Sequence, residues 1–186
     1  MPKMEITTTL NATDREMWRA WLEANHANEK EIWLLFPSSK SDEPHLSYVH
    51  AVEEALCFGW IDGIAKRYDD NYRAQRFSPR RPKGNWTELN KERARRMIAA
   101  GRMTPAGEAT LPDLSLDAFS IAPDILEALQ ADPQTWEHFQ NFPGLYQRIR
   151  ISYIESARKQ PDEFQKRLEK FLTMTKQNKT FGGVME

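Results

Sequence analysis

A single cysteine, Cys57, stands among 186 residues, so no intramolecular disulfide can form and a reducing compartment is expected. The four histidines, His26, His45, His50 and His138, show no metal-ligand spacing. His50-Ala51-Val52-Glu53-Glu54 follows the inverted zinc-protease pattern until its last position, where Glu54 replaces the required histidine, and no metal is expected. There is no Gly-x-Ser-x-Gly elbow. Gly59 and Gly63 fit neither phosphate-cradling glycine pattern, and no cofactor is expected. The longest apolar run, Ile32–Phe36, is too short to span a bilayer, and the amino-terminal residues lack an apolar signal core. These absences predict a cytoplasmic protein without membrane insertion. The net charge of −1 excludes whole-molecule steering of a charged partner.

What is present is apolar mass and an uneven charge. A hydrophobic fraction of 40% with six Trp and nine Phe supports one domain, or a domain with a helical appendage. Residues 66–102 carry twelve Lys/Arg against four Asp/Glu, which leaves the rest of the chain net −9. A local basic field is therefore expected.

The chain is organised around Ala55–Trp86, which reads as a helix end, a turn at Gly59–Gly63, a hairpin, and an arginine- and proline-rich turn. Before it, Glu5–Leu10 reads as an edge strand. Thr13 with Glu16 reads as a capping box for a helix with Met17, Trp18, Trp21 and Leu22 on one face. Glu31–Phe36 reads as a buried strand stopped by Pro37, and Ser38–Pro44 as a polar loop. Ser47 caps a helix that ends at Gly59. Gly63–Tyr68 and Tyr72–Phe77 form the hairpin around Asp69-Asp70-Asn71, residues that tolerate the left-handed conformation. Pro79 and Pro82 end ladder pairing. Thr87 caps a helix ending at Gly101, and Thr104-Pro105 opens a short one. Asp113–Ala122 is a low-structure connection, and it splits an α+β domain, 1–112, from a helical carboxy-terminal module, 113–186. Helices are expected over Pro123–Ala131, Pro133–Phe142, Pro143–Lys159 and Pro161–Lys176, followed by a frayed tail, Asn178–Glu186. The fold class is α+β: a small antiparallel sheet with a β-hairpin, packed by helices. The expected core is Trp18, Trp21, Trp33, Leu56, Phe58, Met97, Ile98, Trp136, Phe139, Ile154 and Leu168.

Nucleophilic chemistry finds little support. Cys57 and His50 share a helix seven residues apart, ~10 Å along its axis, beyond the reach of a dyad. Cys57 between Leu56 and Phe58 reads as a buried inert thiol. Trp60-Ile61-Asp62 reads as a tight corner, with Trp60 packing and Asp62 capping a turn, or as an aromatic wall beside a carboxylate. The arginines are the stronger signal. Arg67, Arg73 and Arg76 lie on the hairpin, Arg80, Arg81 and Lys83 follow, and Tyr68, Tyr72, Phe77 and Trp86 are interleaved. Guanidinium forks bind carboxylate or phosphate, and aromatics offer stacking surfaces. The plain structural alternative pairs these arginines with Asp62, Asp69, Asp70 and the acidic helices.

Long blocks here resemble the YdeI/OmpD-associated, or bacteriocin-protection, family. They are Glu53-Glu-Ala-Leu-Cys-Phe-Gly-Trp-Ile-Asp62, Gln75-Arg-Phe-Ser-Pro-Arg-Arg-Pro82, Asn85-Trp-Thr-Glu-Leu-Asn90 and Ala100-Gly-Arg-Met-Thr-Pro-Ala-Gly107. Glu31–Pro37, and the helical end from Trp136 through Tyr153–Ala157 to Arg167, extend the resemblance over nearly the whole chain. It implies an α+β domain with a helical module, a bacterial source, and association with a porin or protection against bacteriocins and cationic peptides. It supplies no catalytic residues. The leading expectation is a non-enzymatic binding protein in envelope stress or bacteriocin and cationic-peptide resistance, with a site at Trp60, Asp62, Arg67, Gln75, Arg76, Arg80 and Trp86. Its ligand is an anionic small molecule or an acidic protein surface. The alternatives are a small-molecule enzyme with Asp62 as acid or base and Arg76 on the substrate anion, and weak single-stranded nucleic-acid binding.

Overall fold

A computed structural model of the chain describes residues 5–37, 44–82 and 84–183. The expected polar loop, apart from Pro44, lies outside the described residues, as do Lys83 and the last three residues of the expected tail. The chain divides into two compact units. The first is Met1–Gly84 with Arg93–Pro112, and the second is Asn85–Glu92 with Asp113–Glu186. The fold is α+β; among the described residues 49% are helix and 14% strand.

The first unit opens with β1 (Thr9–Leu10), α1 (Arg15–Asn25), β2 (Ile32–Pro37) and α2 (Tyr48–Cys57). The hairpin β3 (Trp60–Arg67) and β4 (Tyr72–Pro79) follows, and the sheet order is β1-β2-β4-β3. The sheet is mixed, not wholly antiparallel. β1 and β2 run parallel because α1 carries the chain back across the sheet between them. The cap of α1 is Asp14, whose carboxylate accepts from the Met17 N–H at 2.8 Å; Thr13 donates to Asp14 instead of capping. Ser47 caps α2 as expected, accepting from the His50 N–H at 3.2 Å.

The expected corner at Trp60–Asp62 is strand. Gly59 alone makes the turn, at φ +73°, and β3 starts at the next residue. The loop Asp69-Asp70-Asn71 needs no left-handed residue. The Asp69 carboxylate instead accepts from the Asn71 and Tyr72 N–H groups at 2.7 and 2.8 Å. Within β3 the register slips: Asp62 faces Phe77 and Ala65 faces Gln75, so Gly63 and Ile64 bulge opposite Arg76.

Helix α3 (Glu88–Ala99) lends its start, through Glu92, to the second unit and its remainder to the first. The helix α4 (Pro105–Glu108) is capped by Thr104. The second unit continues with a 3-10 turn at Leu116–Ala118, then α5 (Pro123–Gln130), α6 (Pro133–Asn141), α7 (Gly144–Glu155) and α8 (Pro161–Lys176). Proline opens the first turn of α5, α6 and α8, where its missing N–H costs nothing. Ile125, Leu129, Phe139, Ile151, Ile154 and Phe171 are the heart of this unit's core.

Most of the expected core is buried, with three departures. Trp21 and Trp136 are half-buried at the margins of their units, and Ile98 is 44% exposed because α3 turns its Ala94 and Met97 inward instead. The described part of the expected frayed tail is also docked. The Phe181 N–H donates to the Tyr146 hydroxyl at 3.2 Å, and Arg150 donates to the Gly183 carbonyl at 3.2 Å.

Candidate functional site

The β-pleat assigns side chains to two faces of the sheet. Phe77 packs against Trp18 at a tilt (5.5 Å), Trp60 meets Trp21 edge-on (5.7 Å) and Phe36 meets Tyr48 (6.3 Å), so these residues share the face covered by α1 and α2. Where α2 begins, this face opens into a groove of about 590 Å³. Its walls include Phe36 of β2, His45 and Tyr48 at the start of α2, Ala65 of β3, and Arg73 and Gln75 of β4. The bulge brings Ala65 here: strict alternation from Asp62 would have presented Ile64 and Lys66 instead.

Behind the groove sits a hydrogen-bonded pair, Tyr48 and Asp62. The Tyr48 hydroxyl donates to Asp62 at 2.6 Å. Burial first, and the Asp62 carboxylate second, push the Tyr48 phenol above its ordinary value, so it stays neutral. Burial brings the Arg80 guanidinium down to about 10, opposed by Asp62, and it remains charged at neutral pH. Burial also lowers Arg93, against the pull of Tyr48, Glu53 and Asp62.

Arg73 is different. It stands directly opposite Arg67 across the β3–β4 ladder. Like charges in that position destabilise a sheet. Arg67 turns away to the hairpin loop, where it donates to the Asp69 carbonyl at 3.1 Å and pairs with Asp70. Arg73 is exposed and makes no ion pair or hydrogen bond among the described residues. No carboxylate lines the groove among the described residues either.

A second charged constellation lies on the same unit. Glu54 has no exposed surface, yet its carboxylate accepts from Arg15 at 2.5 Å, Arg102 at 2.7 Å and Arg19 at 2.7 Å. Burial raises its pKa; the hydrogen bonds from Arg15, Arg102 and Arg19 outweigh burial and hold it below the ordinary glutamate value. The enclosed Glu54 carboxylate is satisfied by three guanidinium groups of the same unit, which marks the cluster as structural. Sequence reasoning missed it because its arginines come from two segments distant from Glu54, Arg15 and Arg19 on α1 and Arg102 after α3. The available signal was a helix, Ala51–Cys57, apolar on all sides except for Glu53 and Glu54.

Residues 10–110 match a family model described as Domain of unknown function (DUF8412). Residues 118–178 match one described as Bacteriocin-protection, YdeI or OmpD-Associated. The first match spans more than half of the chain. The chain belongs to the DUF8412 family and carries a YdeI/OmpD-associated module. No curated protein and no solved structure matches it. The resemblance read along the whole sequence thus divides, and its helical end is the part described by the YdeI/OmpD-associated model.

The DUF8412 domain does not gather the expected site residues into one place. Gln75 lines the groove, its amide donating to the Gly63 carbonyl at 2.7 Å, and Asp62 backs the groove through Tyr48. Trp60 is 1% exposed and donates to the His26 carbonyl at 3.1 Å, so it is a core residue. Arg67 belongs to the hairpin turn. Arg76 takes the opposite face of the sheet, where it donates to Glu31 at 2.6 Å, beside Trp33. Asp62 and Arg76 therefore do not face one another across a substrate site, contrary to the acid–base alternative. Trp86 lies in the segment counted with the second unit. Arg73, Tyr48, His45 and Phe36 complete the groove in their stead. Among the described residues no group of His, Cys, Asp or Glu could hold a metal ion, and no helix is long and apolar enough to cross a membrane.

Proposed function

We propose that the protein binds a small anionic compound in the groove beside Arg73, as a cytoplasmic binding protein and not as an enzyme. The observation that carries this reading is the position of Arg73. Among the described residues its guanidinium makes no ion pair, and it borders an apolar groove lined by no carboxylate. A bound anion satisfies the guanidinium fork. Tyr48 and Gln75 shape the walls, and Asp62 fixes Tyr48. A concave groove of this volume favours a small molecule over the flat acidic surface of a protein. The match of the carboxy-terminal module to the bacteriocin-protection, YdeI or OmpD-associated model supports a role in bacteriocin protection, and porin association rests on that match alone.

A thermal-shift panel of anionic and neutral metabolites tests the reading on wild type and Arg73→Gln. An anion at saturating concentration should raise the wild-type melting temperature by at least ~2 °C and leave the variant unmoved. Equal shifts in both proteins, or no shift by any anion, would overturn it.

A further inference from the structure

We infer that the ligand carries one carboxylate on a flat apolar body, an arylcarboxylate by chemical class. The inference rests on the binding reading above and adds the identity of the ligand. Its first support is the count of charges. Arg73 is the arginine or lysine that lines the groove among the described residues. Arg67, its cross-strand neighbour, is turned to Asp70, and Arg76 is turned to Glu31 on the other face. One guanidinium matches one carboxylate through two parallel N–H···O bonds. A phosphate monoester or polyphosphate brings more charge than this wall can balance. Backbone N–H groups, the usual supplement at phosphate sites, are committed to the sheet ladder along β4, which pairs with β2 on one side and β3 on the other.

The second support is the shape and chemistry of the walls. Phe36 and Tyr48 present their rings at 66° to one another, an edge-to-face pair that accepts a third ring. The Tyr48 hydroxyl is committed to Asp62 behind it, so the Tyr48 ring presents a planar apolar face to the groove. Ala65, brought to the groove by the bulge, leaves the floor open where a larger side chain would fill it. The volume, about 590 Å³, suits a ligand of one or two fused rings with its acid group.

Isothermal titration of the full chain with four probes tests this: 2-naphthoate, octanoate, 2-naphthyl phosphate and neutral 2-naphthamide. The expected result is 2-naphthoate binding at least tenfold tighter than the other three. Arg73→Gln and Ala65→Leu, both at exposed positions and checked for native circular dichroism, should each weaken it at least tenfold. Tighter binding of naphthyl phosphate overturns the carboxylate class and leaves the anion reading standing. Equal binding of octanoate overturns the aromatic requirement alone. Equal binding of naphthamide overturns both readings, since the charge then does nothing. If none of the probes binds while the metabolite panel yields another anion that depends on Arg73, this inference fails and the binding reading survives.

Discussion

Glu54 is a carboxylate stripped of water and surrounded by guanidinium groups from Arg15, Arg19 and Arg102. Removing its charge leaves those arginines facing one another, and breaking a buried pair costs about 3–5 kcal/mol. The arginines keep 19–28% of their side-chain surface in solvent, so Glu54→Gln should fall at the lower end of that range in a urea titration. The pH dependence has a definite sign. Because the folded pKa is depressed, the stabilisation is fully present above the ordinary glutamate pKa of 4.5 and drains away as pH falls through the lower folded value. Melting temperature should drop below about pH 4.5 in wild type, and this acid limb should be shallower in Glu54→Gln. An unchanged acid limb would remove Glu54 from the account. Cys57 makes the opposite case. Burial, reinforced by Glu54, pushes its thiol up to about 12, so a thiol-reactive probe should modify it slowly in the native state and rapidly in denaturant. Rapid native labelling would contradict its burial. The inert thiol was legible from Leu56-Cys57-Phe58 alone. The Glu54 cluster was not, because nothing local in a sequence announces that Arg15 and Arg102 end on the same carboxylate.

At the scale of elements, the junction between α2 and α4 explains the glycines of two sequence blocks. The Cys57 carbonyl at the end of α2 accepts from both the N–H and the hydroxyl of Thr104, at 3.2 and 2.5 Å. That bond seats α4 so closely that a Cβ on Gly107 would lie 2.6 Å from the Met103 sulfur and 2.7 Å from the Cys57 carbonyl carbon. Backbone on backbone cannot yield as a flexible side chain would. Gly107→Ala should cost about 1–3 kcal/mol by overpacking, with Gly101→Ala a poor control because its φ of +66° is strained for any side chain. Chemical denaturation of Gly107→Ala beside Gly144→Ala, whose added Cβ would meet no atom closer than the Arg148 guanidinium at 3.6 Å, checks this. Equal stability of the two would refute the close seating. Helix and strand placement was largely readable here, since proline, glycine and capping residues punctuate the chain. The β-bulge was not. A single extra residue at Gly63–Ile64 decides which side chains reach the groove, and no local pattern separates a bulge from a regular strand. For that reason the hairpin arginines were found in sequence, while Arg73 was not singled out from Arg67 and Arg76.

For the whole molecule, the issue is whether a basic stretch of sequence becomes a basic field in space. Residues 66–102 carry a net charge of +8. In the folded first unit Arg76 reaches Glu31, Arg102 reaches Glu54 and Glu16, and Arg67 reaches Asp70. Lys91 meets Glu88 within the second. At least four of the cations are thus paired, Arg76 and Arg102 with carboxylates outside the basic stretch and Arg67 and Lys91 with carboxylates inside it, and Arg76 is directed to the opposite face of the sheet from Arg73. Nucleic-acid affinity depends on releasing counterions from many phosphates along one surface, and the cations held in these pairs are withdrawn from that role. Fluorescence anisotropy with a labelled single-stranded oligonucleotide should therefore detect no binding tighter than ~10⁻⁴ M at physiological salt. An arylcarboxylate bound at Arg73 should be far less sensitive to salt than a polyanion, because one pair is exchanged and not a counterion atmosphere. A steep fall of oligonucleotide affinity with salt, retained in Arg73→Gln, would show a cationic surface beyond these pairs and restore the nucleic-acid reading.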